Sequence, residues 1–453
     1  MDKIIYAKQP VVTHPGTMEN YLLNTQLGKG YNNVIGFLND VQYRFPGAIS
    51  FAAGQPDETF FDLEEQIKKI DVFAGYLMKK TGKTRAAAFN AIGQYNKTKG
   101  IVNEIIREYL IKDVDIDVPE ESILLTVGAQ EAFAVVVTTL CNRETDVVLT
   151  EDPGFIGLSS FAKAFGFELA GVPVDKDGLV LEELENVLDR IGAARKKAKV
   201  LYVIPDYQNP TGACMPVENR LELIRLAEKH NFLIVEDSVY NSFGYSTVKN
   251  PTLKALDSRG RVIYIGSFSK SLFPGLRIGL IVADQRIRTA SGDSVSLADE
   301  MAKVKGLLSL NTPTINQAIL AGILLDLDCT LKDFNAAKVS RYREKRDQMV
   351  MAIDQNIMAY RSDWSRDIRW NIPEGGFFVK MQIPFIIDNA SVVECASRFG
   401  IIICPMRYFH LEAGGEYEIR LAFSNLSTAD ILVGIKQLAA YLKERIKKSN
   451  YHE

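Results

Sequence analysis

The chain has 453 residues, enough for two domains and a sizeable core, and its 47% apolar and 24% charged residues are typical of a globular protein. A formal net charge of −3 gives no electrostatic reason to bind nucleic acid or an anionic membrane surface, and no apolar run reaches the length of a membrane span. The four histidines are too scattered for a metal site and the five cysteines favour reduced thiols, so we expect a cytoplasmic protein without a metal.

Residues 1–50 are predicted to be irregular, and residues 62–92 to be mostly helical. From residue 123 onward, β-branched apolar runs end in polar residues and alternate with helical runs. This alternation is typical of a mainly parallel sheet that helices cover on both faces. The apolar runs predicted to form strands are ILLTV (123–127), VVLTEDPG (147–154), KVLYVIPD (199–206), FLIVEDSVY (232–240), VIYIGSFSK (262–270) and GLIVAD (279–284).

Beyond these runs, residues 290–330 look helical and residues 341–453 mix both kinds of element. No internal repeat or low-complexity linker divides the chain. We therefore expect a large domain at 60–310 and a small C-terminal domain at 311–453, with an N-terminal arm at 1–59 that forms part of the small domain.

Unusual polar groups follow four of the predicted strands. In open α/β sheets, ligands bind beyond the carboxyl ends of the strands, so these groups are expected to meet at one edge. A single aspartate there more often caps a turn, and a single lysine is usually solvated surface, but four such ends at one edge are a much rarer coincidence. The residues are Asn209; Asp237 and Tyr240; Ser267, Ser269 and Lys270; and the helix start at Gly128, Ala129 and Gln130.

Together these groups suit pyridoxal 5′-phosphate. Lys270 can form a Schiff base with the aldehyde of this cofactor. Arg277, Ser267 and the N–H groups of the helix start at 128–130 can hold its phosphate. Ser269, next to Lys270, belongs to the same predicted cofactor site.

The remaining strand-end groups suit the ring of the same cofactor. Asp237 can keep the pyridine nitrogen protonated, so that the ring accepts electrons. Asn209 and Tyr240 can hydrogen-bond the phenolate oxygen. The sequence thus predicts a pyridoxal 5′-phosphate site in which Lys270 anchors the cofactor and Arg277 neutralises its phosphate.

Four motifs, taken in their order and spacing, carry a resemblance to a known family. They are DYQNPTG (206–212), VEDSVY (235–240), GSFSKSLFPGLRIG (266–279) and IRLAFS (419–424). With them the chain resembles the class I and II aminotransferases of fold type I, most of all the 2-aminoadipate, kynurenine and aromatic aminotransferases, over residues 49–425. The resemblance implies an α/β fold with a mainly parallel seven-stranded sheet in the large domain, and a small α+β domain.

The resemblance also implies a reaction. An amino acid would replace Lys270 on the cofactor, and the freed Lys270 would act as the base that moves the Cα proton. A 2-oxo acid would leave and a second oxo acid would reverse the steps, which gives ping-pong kinetics. The expected function is therefore transfer of an amino group from an L-amino acid to a 2-oxo acid.

Further residues take their roles from the resemblance alone. Phe155 sits where the family places an aromatic ring on the face of the cofactor, although it could also be a core side chain. Arg420 matches the arginine that binds the substrate α-carboxylate, with Asn209 beside it, and Gly54 matches a loop glycine at the same subsite or is simply a turn glycine. Tyr95 matches a tyrosine that reaches the phosphate of the neighbouring subunit, which implies a homodimer with shared active sites.

The chain also departs from the family pattern. The segment 71–92 is longer than usual, and it either lengthens a surface helix or reshapes the pocket. Met406 replaces a common glycine and Lys380 a common aromatic, both in the part of the small domain expected to face the substrate. These departures leave open the substrate and also the reaction, because relatives carry out decarboxylation, β- or γ-substitution, or oxidation with the same cofactor.

Two more distant alternatives have less support in the sequence. The stretch TGKT (81–84) resembles the end of a nucleotide-binding phosphate loop, but that loop needs a preceding strand and a glycine where this chain has Leu77. An amino-acid-sensing transcription regulator with this fold would carry a DNA-binding domain ahead of residue 49, and we expect no basic recognition helix in that part of the chain.

Overall fold

The computed structural model describes residues 34–246, 249–289, 291–360 and 364–449. The strands are β1 (Ile49–Ser50), β2 (Ile123–Thr126), β3 (Asp146–Asp152), β4 (Glu168–Asp175), β5 (Gly178–Leu179), β6 (Lys197–Val203), β7 (Leu233–Asp237), β8 (Val262–Ser267), β9 (Gly279–Val282), β10 (Arg286–Arg288), β11 (Ser294–Ser296), β12 (Arg369–Trp370), β13 (Phe378–Gln382), β14 (Ile401–Ile402), β15 (Cys404–Pro405) and β16 (Glu418–Ala422). The helices are α1 (Val34–Arg44), α2 (Leu63–Lys68), α3 (Ile70–Thr81), α4 (Arg85–Ile92), α5 (Asn103–Val114), α6 (Gly128–Leu140), α7 (Ile156–Ala164), α8 (Leu181–Ala193), α9 (Val217–His230), α10 (Leu253–Leu256), α11 (Leu297–Ser309), α12 (Thr314–Asp326), α13 (Lys332–Asn356), α14 (Asn389–Phe399) and α15 (Thr428–Ser449). None of the helices in the described ranges is long and apolar enough to cross a bilayer.

The main sheet has the strand order β2-β9-β8-β7-β6-β3-β4-β5. Six of its strands run parallel, and β9 and β5 run antiparallel to their neighbours. Alternate residues pack into two different apolar clusters, with Val148 and Val200 on one face and Leu149 and Leu201 on the other. A sheet buried on both faces needs apolar residues at every position, which is the pattern of these strands. The predicted α/β fold with a mainly parallel sheet is therefore confirmed.

The number of strands differs from the predicted seven. The eighth strand of this sheet, β5, has only two residues and turns back on β4, with Leu179 opposite Val174. The count of seven came from the family resemblance. The apolar runs of the sequence included neither β4 nor β5, and the two residues of β5 are too few to show the alternation by which a sequence pattern identifies a strand.

Strand β9 does not end at the edge where β6, β7 and β8 end. It lies antiparallel between β2 and β8, with Gly279 opposite Ser267. The connection 268–278 is too short for the crossover that joins two parallel strands. Consequently Asp284, the polar residue after β9, lies at the opposite edge, where it accepts a hydrogen bond from Lys254 at 2.6 Å.

The helix α1 corrects the prediction that residues 1–50 are irregular. Val34 and Val41 on this helix are buried, and Phe37 and Leu38 pack partly on the same apolar cluster. Their spacing of three or four residues places them on one face of a helix, and this signal was present in the sequence. The rest of that prediction, residues 1–33, lies outside the described residues.

The small domain combines elements from both ends of the chain. Strand β1 pairs with β14 in parallel, with Ile49 opposite Ile401. An antiparallel sheet of order β12-β13-β16-β15 adjoins this pair, and α13 packs against α15. Helix α12 instead shares an apolar cluster with α3 and α5. The boundaries proposed for the domains, at residues 60 and 311, remain a prediction.

Candidate active site at the ends of the parallel strands

A cavity of about 720 Å³ opens where β6, β7 and β8 end, between the main sheet and the small domain. It collects all of the predicted site residues except Gly128 and Tyr95. Those that line it are Gly54, Ala129, Gln130, Phe155, Asn209, Asp237, Tyr240, Ser267, Ser269, Lys270, Arg277 and Arg420. The expectation that the polar strand ends meet at one edge of the sheet therefore agrees with the structure.

Lys270 lies just beyond the end of β8, partly buried in the cavity wall. Its Nζ donates a hydrogen bond to the Gly54 carbonyl at 2.9 Å. Burial lowers the pKa of Lys270 to about 8, and the positive charges of Arg420 and Arg277 act in the same direction. A lysine with this pKa has a substantial neutral fraction near neutral pH, which is the form that attacks a carbonyl carbon or removes a proton.

Arg277 and the start of α6 form a subsite suited to a phosphate. A Cβ atom on Gly128 would lie 2.7 Å from an Nη atom of Arg277, so glycine is needed for the guanidinium to approach the helix start this closely. No side chain caps the first turn of α6, which leaves the backbone N–H groups of Ala129 and Gln130 available to an anion. Ser267 lies nearby, where its Oγ accepts a hydrogen bond from the backbone of Ser269 at 3.3 Å.

Asp237 is the last residue of β7 and is 3% exposed. Its Oδ2 accepts a hydrogen bond from the Tyr202 hydroxyl. Its Oδ1 is also buried but has no hydrogen-bond partner of normal geometry among the described residues. An unpartnered buried carboxylate oxygen is costly, so a donor from within the cavity would satisfy it. A protonated pyridine nitrogen is such a donor, and this oxygen therefore fits the ring of pyridoxal 5′-phosphate.

Arg420, on β16, is held by two hydrogen bonds and two aromatic rings, while its buried Nε has no hydrogen-bond partner among the described residues. One Nη donates to the Asn209 Oδ1 at 2.8 Å and the other to the Ala52 carbonyl. The guanidinium also lies between two rings, 4.4 Å from the centre of Phe378 and 4.7 Å from that of Phe409. The two rings and the two acceptors fix the plane of the Arg420 guanidinium. This fixed plane suits the guanidinium to a carboxylate, which accepts two parallel hydrogen bonds.

Two glycines leave room for the rings of this site. A Cβ atom on Gly54 would lie 2.6 Å from the Phe378 ring, and one on Gly157 would lie 2.4 Å from the Phe155 ring. Gly54 is therefore more than a turn glycine, since any side chain there would displace the ring that packs on Arg420. Phe155 lines the cavity on one side and packs edge-to-face on Phe133 on the other, with 6.3 Å between the ring centres.

Asn209 and Tyr240 form one hydrogen-bonded pair in the cavity wall. The Asn209 Oδ1 accepts a hydrogen bond from Arg420, and the Asn209 amide N–H donates one to the Tyr240 hydroxyl. Burial raises the pKa of Tyr240, so this residue keeps its proton at neutral pH and can donate it in a hydrogen bond. The pair can thus bind an anionic oxygen such as a phenolate.

Some expectations are not met within the single chain. Tyr95 is 78% exposed and does not line the cavity, so its predicted contact with the partner subunit remains a prediction. The lengthened segment forms α3 and α4 outside the cavity, and TGKT begins at a helix end rather than a strand end. Met406 is buried and Lys380 pairs with Glu418 at 3.1 Å, and neither lines the cavity, contrary to the expectation that both face the substrate.

Several cavity residues were not singled out from the sequence. Four of them come from α1, namely Val34, Leu38, Asn39 and Gln42. The helical spacing of VIGFLNDVQYR would have predicted the helix, but nothing local in the sequence predicts that it reaches this cavity.

Comparisons with known proteins agree with this geometry. The family model for aminotransferases of class I and II matches residues 49–438. The chain is 35% identical to the (S)-3,5-dihydroxyphenylglycine transaminase of Amycolatopsis orientalis, over 95% of this chain and 98% of that one. It is 30% identical to the aromatic-amino-acid aminotransferase 1 of Thermococcus litoralis, over 95% and 96% of the two chains. A crystal structure of the kynurenine aminotransferase of Pyrococcus horikoshii in complex with PMP is similar with a TM-score of 0.78 at 28% identity, covering 94% of this chain and 98% of that one.

Proposed function

The chain belongs to the class I and II aminotransferases and is a pyridoxal 5′-phosphate-dependent transaminase, and we propose that its amino donor is an L-amino acid with a neutral, aromatic side chain. The observation that carries this proposal is the set of positive charges in the cavity. Among the described residues that line it, the only cations are Lys270, Arg277 and Arg420.

Each of the three cations has a separate task in the proposed arrangement. Lys270 would bind the aldehyde carbon of the cofactor, Arg277 would neutralise its phosphate, and Arg420 would bind the α-carboxylate of the substrate. Asp237 would accept a hydrogen bond from the pyridine N–H through its unpartnered Oδ1, and Phe155 would pack against the ring. These assignments are supported by the unpartnered oxygen, the glycine at the phosphate subsite and the fixed plane of the arginine.

The chemistry divides between the cofactor and the chain. When bound, pyridoxal 5′-phosphate supplies an electron sink for the bond that breaks at Cα. Lys270, whose Nζ lies in the cavity wall and whose pKa is lowered, would then take the Cα proton of the substrate and deliver it to the C4′ carbon of the cofactor. Asn209 and Tyr240 would bind the phenolate oxygen, and Arg420 would orient the substrate through its α-carboxylate.

With these three tasks assigned, no cation among the described cavity residues is left to pair with the substrate side chain. The wall contributed by α1 and the small domain is mainly apolar, with Val34, Leu38 and Phe409, and its polar side chains include the uncharged amides of Asn39 and Gln42. An unpaired carboxylate in such a wall would lose its hydration without compensation. An aromatic ring would bury apolar area there, and the two amides could bind a ring hydroxyl. The names of the two relatives, which act on dihydroxyphenylglycine and aromatic amino acids, support the same class.

A panel of amino acids tests the proposed donor. We expect kcat/KM in the first half-reaction, followed by the absorbance of pyridoxamine phosphate, to be at least about tenfold higher for L-phenylalanine and L-tyrosine than for L-glutamate and L-aspartate, because one unpaired buried charge costs ~1.4 kcal/mol or more. L-leucine and L-methionine serve as neutral controls that lack a ring. Faster reaction with the acidic amino acids would overturn the neutral-donor proposal while leaving the transaminase activity in place.

We also infer that the active enzyme is a homodimer in which Tyr95 reaches the phosphate in the partner subunit. The loop that carries Tyr95 lies beside the last turns of α11. A Cβ atom added to Gly306 on this helix would be 3.9 Å from the Thr98 methyl group of the loop. The next residue, Leu307, is 89% exposed. Further exposed apolar side chains follow at Leu308, Leu310 and Ile315. Exposed apolar residues concentrated beside Tyr95 support a surface that a second copy of the chain covers.

Mixed dimers of two defective subunits test this assembly. A Lys270→Ala subunit still supplies Tyr95, and a Tyr95→Phe subunit still supplies Lys270, so one of the two sites in the mixed dimer contains both intact residues. We expect this site to retain the cofactor with near wild-type affinity, whereas both sites of the pure Tyr95→Phe protein bind it about tenfold more weakly, since each loses a charge-assisted hydrogen bond. Separately tagged, co-expressed subunits and a cofactor titration give the measurement. Mixed dimers that retain cofactor no better than the Tyr95→Phe protein would show that Tyr95 does not act across the interface.

A further inference from the structure

Tyr202 lies directly behind the cavity without touching it. It is on β6, beside β7, and is 1% exposed. Its ring packs edge-to-face on Phe133, with 6.1 Å between the ring centres, and its hydroxyl donates to Oδ2 of Asp237. The cavity lining does not include Tyr202. Any effect of this hydroxyl on a ligand must therefore pass through Asp237.

The two oxygens of Asp237 have different surroundings. Oδ2 is held by Tyr202, whereas Oδ1 has no partner of normal geometry among the described residues. A carboxylate at the end of a strand can rotate about its terminal bond, because that torsion has broad minima. With one oxygen held from behind, the other oxygen keeps a fixed direction. Without the tyrosine hydroxyl, Oδ2 would lose the hydrogen bond that helps to fix this direction.

We propose that Tyr202 is a positioning residue that orients Asp237, so that Oδ1 can accept the N–H of the cofactor ring. This inference rests on the contact proposed above between Asp237 and the ring nitrogen. It adds a residue that sequence motifs do not single out, since Tyr202 is one apolar position within the run KVLYVIPD.

The electrostatic surroundings explain why the carboxylate needs this help. Burial raises the pKa of Asp237 to about 6, while the hydrogen bonds from Tyr202 and from the backbone N–H of Val239 lower it. The other titratable groups that interact with Asp237 are Glu151 from β3, Tyr240 after β7 and Tyr264 from β8. Each of them is neutral or negative near neutral pH, so none stabilises the aspartate charge as a cation would. Removing the Tyr202 hydroxyl should thus raise the pKa of Asp237 and reduce its ionised fraction at pH 7.

The change Tyr202→Phe tests the proposal because it removes one oxygen and keeps the ring against Phe133. Its matched control is Tyr245→Phe, which removes the hydroxyl of another buried tyrosine that donates instead to the Gly376 carbonyl at 2.5 Å. Dissociation constants are measured for two probes, pyridoxal 5′-phosphate and its 1-deaza analogue, in which C–H replaces the ring nitrogen. Thermal unfolding of the cofactor-free proteins shows whether both variants fold.

The two probes separate a role at the ring nitrogen from general damage. We expect Tyr202→Phe to weaken binding of pyridoxal 5′-phosphate by about tenfold, and binding of the deaza analogue by less than about twofold, because only the first probe can donate a hydrogen bond to Asp237. Tyr245→Phe should leave both constants unchanged. Equal weakening of both probes by Tyr202→Phe, or no weakening of either, would overturn the proposal.

The variant Asp237→Ala distinguishes failure of this inference from failure of the contact on which it rests. Suppose that Asp237→Ala weakens binding of pyridoxal 5′-phosphate but not of the deaza analogue, while Tyr202→Phe changes the two dissociation constants equally. Then only the role of Tyr202 is wrong. If Asp237→Ala also changes the two dissociation constants equally, the contact between Asp237 and the ring nitrogen is wrong, and the inference about Tyr202 is wrong as well.

Discussion

Replacing Lys270 by alanine should slow the amino-acid half-reaction by at least about 10⁴-fold, because the change removes both the group that anchors the cofactor and the base that moves the Cα proton. The structure supports both roles, since the amine lies in the cavity wall and burial lowers its pKa to about 8. The rate is measured under single-turnover conditions by the formation of pyridoxamine phosphate. In the unaltered protein, borohydride reduction should leave the mass of the reduced cofactor on the peptide that contains Lys270.

The chain carries a built-in comparison for this experiment. Lys338 is also buried, and burial lowers its pKa to about 8, but its Nζ donates to the Ser271 carbonyl and it does not line the cavity. Reactivity that followed the pKa alone would label both lysines. We expect the adduct on Lys270 only. An adduct on Lys338, or substantial turnover by the Lys270→Ala protein, would contradict the assignment.

Replacing Asp237 by alanine should slow the half-reaction by about 10²-fold or more, which corresponds to ~2.7 kcal/mol in the barrier. With a pKa of about 6, the carboxyl is mostly ionised at pH 7 and can keep the ring nitrogen protonated. Loss of that proton would weaken the electron sink at the step in which the Cα–H bond breaks. The variant should still take up the cofactor, because Lys270 and Arg277 remain. The rate is measured with saturating cofactor, so that weaker binding does not enter the result.

The companion variant Asp237→Asn separates charge from shape. Asparagine fills the same space and keeps one oxygen toward the cavity, but it has no negative charge to stabilise a pyridinium. We expect it to be nearly as slow as the alanine variant. A half-reaction rate equal to that of the unaltered protein in either variant would remove Asp237 from the mechanism.

The sequence predicts best those site residues that directly follow an apolar run in the chain. Lys270, Asp237 and Asn209 each follow an apolar run by a few residues, and the rule that ligands bind at the carboxyl ends of parallel strands brings such residues together. The family match confirms the cofactor and transamination, which the residues alone left among several reactions. The roles of the individual side chains stay proposals that the experiments above address.

The rest depends on contacts between distant segments. The rings of Phe378 and Phe409 surround Arg420, although each of the three residues belongs to a different element. Tyr202 meets Asp237 only because β6 and β7 are neighbours in register. No pattern within one segment of the sequence predicts these contacts.

One other miss had a usable signal in the sequence, because the helical spacing of apolar residues in 34–44 argues for α1.

The pairing of β1 with β14 has a consequence for how the protein is made. On the ribosome the strands of the main sheet emerge in order, so Asp237, Lys270 and Arg277 can reach one edge before the small domain exists. Strand β1 leaves the ribosome early, yet Ile49 has no strand partner until Ile401 has been synthesised. Arg420 must then find the carbonyl of Ala52 at the other end of the chain. A nascent chain therefore completes the edge that carries Lys270 well before it completes the subsite of Arg420.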